Sequence, residues 1–321
     1  MKSKTNNITT TNTIEINNNN NIEKTTNKFN TFLKDWWITG FTDAEGCFST
    51  SICKSNLTKS GWSVQPSFNI ELDIRDSTLL DSIQKFFSAG TIRYNIRKNK
   101  SKSVLFSVRS IKELNNVIIP HFDKYPLLTQ KKNDFIKFKA IIDIINKKEH
   151  LTKKGLEKIL CLRQLKINNL SERMDNSNKL ITNAPDLNWL VGFIDGDGCF
   201  FVNLQKNNRN KTGYGIYLKL QITQHLRDEI LLKSLIKLLN CGRIQKESKR
   251  PVIQFVVSKL KDISEKIIPI FNKYPLQSSK KLDYNDFCEI LKLMENKSHL
   301  TLDGMIKINK IKLKMNKKRR I

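Results

Sequence analysis

The sequence predicts an α+β fold built twice over, and three observations carry that prediction. The first is an internal repeat. Gly46 matches Gly198 and Gly90 matches Gly242 at an offset of 152, while IIPHFDKYPL from Ile118 to Leu127 matches IIPIFNKYPL from Ile267 to Leu276 at an offset of 149. The second is period-two alternation in SFNIELDI (67–74) and IYLKLQIT (216–223), where Phe68, Ile70 and Leu72 oppose Ser67, Asn69 and Glu71. The third is the order of elements. Helical and hairpin patterns follow each other as helix, hairpin, helix, hairpin, helices, which suits antiparallel sheets with helices on one face and a polar opposite face.

Along the chain, residues 1–30 are Asn- and Thr-rich with few large apolar side chains, and such a segment cannot offset the entropy of ordering itself, so disorder is expected there. It lacks Arg and carries Glu15 and Glu23, a poor match to an organellar transit peptide. A first repeat is assigned to 31–170. It opens with the apolar helix ITGFTDAEG (38–46), followed by strands at 47–54 and 67–74, an amphipathic helix at 77–87 closing at Gly90, and a hairpin at 91–108 with a strongly basic turn. KYPL and further helices complete it, the last one started by Thr152 after His150. Polar residues 171–186, with Pro185 near the end, read as a linker. The second repeat, 187–315, runs LVGFIDGDG (190–198), strands at 199–206 and 216–223, a helix at 227–239 closing at Gly242, a hairpin at 243–257, KYPL again, and a last helix after His299 and Thr301. The two His are read as packing or capping residues, and Trp36, Trp37 and Trp189 as core. Residues 316–321 form a basic tail. The first copy carries three extra residues between Gly90 and Pro120.

Composition narrows the classes of function. Lys plus Arg number 57 against 30 for Asp plus Glu, a net charge of +27, which suits a polyanionic partner, nucleic acid first among them. Asn and Ile are abundant too, so AT-rich coding accounts for part of the Lys count, but not for acids that fail to keep pace. No stretch of about 18 apolar residues occurs and nothing near Met1 resembles a secretory segment, so a soluble intracellular chain without membrane contact is expected. The six Cys (47, 53, 161, 199, 241 and 288) show no C-x-x-C spacing and only four His are present. A structural zinc site or disulfide framework is therefore not expected, and the Cys are read as small apolar fillers.

Two features of the repeated apolar helix point to chemistry. Each copy ends in an acid followed by Gly, Glu45–Gly46 and Asp197–Gly198, and an acid at a helix C-terminus faces the negative end of the macrodipole. Each copy also spaces small residues four apart, Gly40 with Ala44 and Gly192 with Gly196. Such spacing lets two helix backbones approach closely, which would set Glu45 beside Asp197. These helix ends resemble the LAGLIDADG motif. The order of elements over about 32–315 resembles the LAGLIDADG homing endonucleases in their single-chain, two-motif form, and KYPL followed by QKKNDF or SSKKLDY is similar to the fungal organellar, intron-encoded branch.

The resemblance implies two pseudo-symmetric αββαββα repeats with saddle-shaped sheets and motif helices packed at the repeat interface. It implies a monomeric, mitochondrial, site-specific endonuclease for double-stranded DNA, cutting one phosphodiester per strand at a long asymmetric target and leaving staggered 3′ overhangs. An RNA maturase acting on intron RNA is the alternative on the same scaffold, and a DNA-binding regulator with a degenerate nuclease fold is a third reading. Glu45 and Asp197 are the implied metal ligands, with Gly46 and Gly198 adjacent to them. Mg²⁺ is the natural partner of hard carboxylate oxygens, with Mn²⁺ or Ca²⁺ substituting for binding and Ca²⁺ not expected to support cleavage. Asp43 and Asp195 point elsewhere on the helix and are read as structural, capping a neighbouring loop. Lys131 and Lys280 are the candidates for stabilising phosphate charge, with Lys132 and Lys281 as near alternatives. Gln224 matches a Gln that lies near the metals in relatives, while its repeat counterpart is Leu72. Base contacts are expected from the polar sheet faces: Ser49, Ser51, Ser67, Asn69, Arg93 and Arg97 in the first copy, and Asn203, Gln205, Lys219, Gln221, Arg243 and Gln245 in the second.

Overall fold

Each half of the chain wraps helices around one face of a four-stranded antiparallel sheet, and the two halves meet along their motif helices. The structure is a computed structural model and describes residues 33–58, 60–95, 102–165, 185–316 and 319. The expected disorder of 1–30, the linker up to residue 184, Arg97 and most of the basic tail lie outside the described residues.

The first repeat runs α1 (Asp35–Glu45), β1 (Gly46–Lys54), β2 (Trp62–Asp73), α2 (Ser77–Phe87), β3 (Thr91–Asn95), β4 (Ser103–Val108), α3 (111–124), α4 (Lys131–Asn146) and α5 (Lys153–Gln164). The second runs α6 (Leu187–Asp197), β5 (Gly198–Lys206), β6 (Tyr214–His225), α7 (Glu229–Leu239), β7 (Arg243–Lys246), β8 (Val252–Val257), α8 (260–273), α9 (Lys280–Glu295) and α10 (Leu302–Lys312). Strand order is β1-β2-β4-β3 and β5-β6-β8-β7. The three extra residues of the first copy fall in the second hairpin, which spans 91–108 against 243–257. β2 and β6 extend beyond the alternating stretch, to Trp62 and to Tyr214, because β1 and β5 supply backbone partners that far: Lys54 pairs with Trp62 and Lys206 with Tyr214.

Register puts the alternation to work. Phe68 pairs with Val108 and Ile70 with Phe106, all fully buried, and Leu220 with Val257 and Ile222 with Phe255 repeat the arrangement. α2 lays Leu80, Ile83 and Phe87 on this face, and α7 lays Leu232, Leu235 and Leu239 on the other copy. Phe48, Phe68, Phe122, Phe135 and Phe138 then interlock between sheet and outer helices, and burying each such ring contributes about 1.5–3 kcal/mol. The helix caps differ from expectation in one respect. α2 and α7 close at Ser88 and Asn240, both at φ 49°, and Gly90 and Gly242 follow two residues later at φ +79° and +89°. Gly is needed there for space as well, since a β-carbon on Gly90 would sit 2.8 Å from the Phe106 ring.

α3 and α8 each contain a single π turn, Leu114–Ile118 and Ile263–Ile267. Pro120 and Pro269 follow at once, and a proline ring that displaces the carbonyl four residues back explains the local widening. Thr152 and Thr301 cap α5 and α10 as expected, accepting from the N–H of Gly155 and Gly304 at 3.0 and 3.1 Å. Two expectations are corrected. Cys47, Cys53 and Cys161 are exposed, so only Cys241 among the six is a buried filler; Cys47 and Cys53 fall on the wet parity of β1. The tail is not free at Arg319, whose guanidinium is paired with Asp283 at 2.8 Å and with Asp286. Among the described residues, no helix is long and apolar enough to cross a membrane.

Candidate functional site

α1 and α6 cross at the contact their small residues permit. A β-carbon on Gly40 would lie 2.0 Å from the Trp189 carbonyl oxygen, and one on Gly192 would lie 2.1 Å from that of Trp37. Further down, Gly196 abuts Ala44 and the Cγ of Glu45, at 2.2 and 3.1 Å from the same hypothetical carbon. The two acids are therefore brought together at the seam. Burial, and then the Asp197 charge, hold the Glu45 carboxyl above the usual carboxylate range, and burial does the same for Asp197. Gly46 and Gly198 have extended backbone, φ −73° and −74°; they are small because a β-carbon would strike Thr42 or Ile194 at 2.5 Å, which lets strands begin directly after the acids.

A loop of side-chain bonds fixes each motif helix to the lysine that follows KYPL. Asp43 accepts the N–H groups of Leu128 and Thr129 at 2.9 and 3.1 Å and the Thr129 hydroxyl at 2.6 Å. Asp195 does the same for Gln277 N, Ser278 N and the Ser278 hydroxyl. These buried acids thus hold the turn that begins α4 or α9. From the first residue of those helices, Lys131 Nζ returns to donate to the carbonyls of Thr42 and Ala44 at 2.9 and 3.1 Å, and Lys280 Nζ to those of Ile194 and Gly196 at 3.0 and 2.6 Å. Cations on the last carbonyls of α1 and α6 offset the unfavourable end of each dipole that the acids meet. Burial pulls both ammonium groups down from the usual lysine range. Lys132 and Lys281 are exposed.

The halves are not chemical copies. Gln224 donates Nε2–H to Asp197 Oδ2 at 2.5 Å, whereas Leu72 stands at the equivalent place beside Glu45. Trp189 Nε1 donates to Asp43 Oδ2 at 2.8 Å, while the repeat-related Trp37 Nε1 is buried and, among the described residues, has no partner.

Strand register places the other candidates on the wet faces of the sheets. Ser49 faces Ser67, Ser51 faces Gln65, and Arg93 faces Leu105. Asn203 faces Tyr217, Gln205 faces Gly215, and Lys219 sits opposite Phe201 with its ammonium 4.7 Å from the ring centroid. Gln245 is exposed, and Arg243 is exposed but donates to the Ser258 hydroxyl at 2.6 Å. Gln221 donates to the Thr223 hydroxyl at 2.9 Å. Ser67 shares this face with Ser49 and Asn69. It is 8% exposed and bonded to Ser49 at 2.9 Å and to Asn69 at 2.9 Å, so it orients those two side chains. Ser107 completes the network by donating to Asn69 Oδ1 at 2.6 Å.

Sequence reasoning missed Asp76 and Asp228, which bond across the repeat boundary to the N-termini of the lysine-bearing helices: Asp76 to Ser279 N and Oγ at 2.6 and 3.0 Å, and Asp228 to Gln130 N at 2.7 Å. The available signal was the Arg-Asp pair, 75–76 and 227–228, kept at the offset of 152.

The fold and the seam define a duplicated sheet-bearing protein with one acid from each repeat at a shared helix crossing. Residues 38–142 and 190–291 match the LAGLIDADG endonuclease family, and the chain belongs to that family. It is 38% identical over 300 residues to the probable intron-encoded endonuclease 2 of Neurospora crassa, covering 87% of this chain and 64% of that relative. It is 32% identical over 308 residues to the probable intron-encoded endonuclease 3 of the same organism, covering 91% and 56%. The chain thus spans less than two thirds of the length of either. Among solved structures it is similar to the I-SmaMI LAGLIDADG homing endonuclease bound to cleaved DNA, with 39% identity, a TM-score of 0.81, and 90% and 98% of the two chains covered. I-SmaMI bound to uncleaved target in the presence of calcium ions matches at 38% identity and a TM-score of 0.80, covering 89% and 99%.

Proposed function

We propose that this chain is a monomeric homing endonuclease that hydrolyses one phosphodiester in each strand of a long, asymmetric DNA target, leaving staggered 3′ overhangs. The observation that carries the proposal is the pair of carboxylates, Glu45 and Asp197, half-buried together at the helix crossing with Lys131 and Lys280 beside them. No group of three or more His, Cys, Asp or Glu among the described residues is arranged to hold a metal. Two hard carboxylates suit Mg²⁺, which keeps several waters and takes its remaining ligands from substrate phosphate. Bound there, Mg²⁺ would supply Lewis acidity and an activated water.

The chain's own residues then divide the work. Glu45 and Asp197 are the residues that would hold the ion, and Gln224 fixes the rotamer of Asp197 alone. Lys131 and Lys280 would supply positive charge beside the acids, each Nζ anchored on the last carbonyls of its motif helix. The polar sheet faces differ residue by residue between the copies, which supports an asymmetric target. Relatives named as intron-encoded, in fungi such as Neurospora crassa, support an organellar origin.

The test is to select a duplex from a randomised pool with the purified chain in Ca²⁺, then add Mg²⁺. Wild type is expected to cut both strands, while Glu45→Gln and Asp197→Asn retain binding and lose at least 10²-fold in rate. EDTA is expected to abolish cutting and leave much of the binding. Absence of cutting, with intact assistance to intron splicing, would move the reading to an RNA maturase.

A further inference from the structure

Asp76 and Asp228 stand immediately before α2 and α7, the position where an Asp ordinarily accepts an N–H from its own helix. Neither does so. Both have φ near −100° and ψ 19°, and neither side chain caps its own helix. Their oxygens go instead to the opposite repeat. Asp76 takes both the N–H and the hydroxyl of Ser279, the residue before Lys280, and Asp228 takes the N–H of Gln130, the residue before Lys131. A carboxylate at the N-terminus of a 16-residue helix is favourably placed against its dipole, so each repeat caps the lysine helix of the other.

The consequence is geometric. The turn that leads into each lysine is held in three ways. The same repeat's buried acid, Asp43 or Asp195, orders it; Thr129 Oγ1 or Ser278 Oγ accepts the lysine N–H at 3.2 Å; the remaining anchor crosses the boundary. Asp76 also lines, with Glu45 and Lys280, a cavity at the seam. The crossed bonds therefore tie the distance from each Nζ to the acids to the packing of α1 on α6.

We propose that Asp76 and Asp228 are positioning residues of the cleavage centre, each acting across the repeat boundary: Asp76 sets Lys280, and Asp228 sets Lys131. This rests on the nuclease reading. It makes an unusual demand, namely that a substitution in one repeat produces the defect of a lysine in the other.

The experiment is single-turnover cleavage of the selected duplex in Mg²⁺ with each strand labelled separately, using the full chain. Lys131→Met and Lys280→Met first identify the strand that depends on each lysine. Asp76→Ala is then expected to slow the Lys280-dependent strand by about 10-fold or more, since an ångström of misplacement can cost about 10²-fold, while the other strand changes less than about 3-fold. Asp228→Ala is expected to give the converse. Asp76→Asn and Asp228→Asn, which keep one acceptor oxygen, should restore part of the rate. The ratio of the two strand rates does not depend on the fraction of folded protein, so a destabilised variant remains readable. Equal slowing of both strands, no change in either, or a defect confined to the strand of the same repeat's lysine would overturn the positioning role while the nuclease reading stood. A wild type that cuts neither strand removes both.

Discussion

His121 is one place where the two repeats differ, since Ile270 occupies the equivalent position. Burial lowers the imidazole pKa to about 4, and its Nε2 lies 3.3 Å from Thr39 Oγ1. The unfolded chain therefore takes up this proton first. His121 causes no loss of stability above about pH 6.5, a growing loss as pH falls towards 4, and no further loss below. Urea unfolding of wild type against His121→Ile, from pH 7 to pH 4, is expected to show that difference, on the order of 1–3 kcal/mol; parallel curves would contradict it. The residues of the site were legible to unequal degrees. Glu45 and Asp197 stood out because folding alone disfavours an acid at a helix C-terminus, and Lys131 and Lys280 because they recur at a fixed distance after KYPL. What Lys131 does was not legible, since its bonds to Thr42 and Ala44 join residues nearly ninety positions apart. Asp76 was hidden for the same reason: it reads as a local N-cap, and only the docking of the second repeat diverts it to Ser279.

Among elements, the α1–α6 crossing is the least tolerant of change. Gly40→Ala or Gly192→Ala would drive a methyl group into the backbone of the facing helix, not into a side chain that can turn aside. A loss of about 3 kcal/mol or more is expected. Gly61→Ala is the control: Gly61 has φ +70° with nothing within 4 Å of the added carbon, so only backbone strain of about 1–2 kcal/mol applies. Denaturant midpoints that place Gly61→Ala at or below Gly40→Ala would refute the close-packed seam. Strand existence was readable because alternation and burial share a period of two. Strand ends were not: Trp62 to Pro66 extend β2 through pairing with β1, a partner that local pattern does not reveal. The π turns were likewise invisible as such, although Pro120 and Pro269 marked where a regular ladder had to yield.

For the molecule as a whole, a net charge of +27 and two outward sheet faces make salt the natural probe of binding. A chain that neutralises about 6–10 phosphates is expected to lose about 10³–10⁵-fold in affinity between 50 and 200 mM salt, and titrations in Ca²⁺ with nearly flat salt dependence would argue against a phosphate-tracking surface. The two faces carry different side chains at matching positions, Ser51 against Asn203 and Arg93 against Gln245, so one duplicated scaffold presents two chemically different surfaces. Both converge on the seam, where one carboxylate from each repeat is held by the other's packing. The most direct measurement of that claim is anomalous scattering from Mn²⁺ in crystals of the full chain with its selected duplex. A peak in contact with carboxylate oxygens of both Glu45 and Asp197 is expected. Manganese bound only elsewhere, or contacting neither acid, would contradict it.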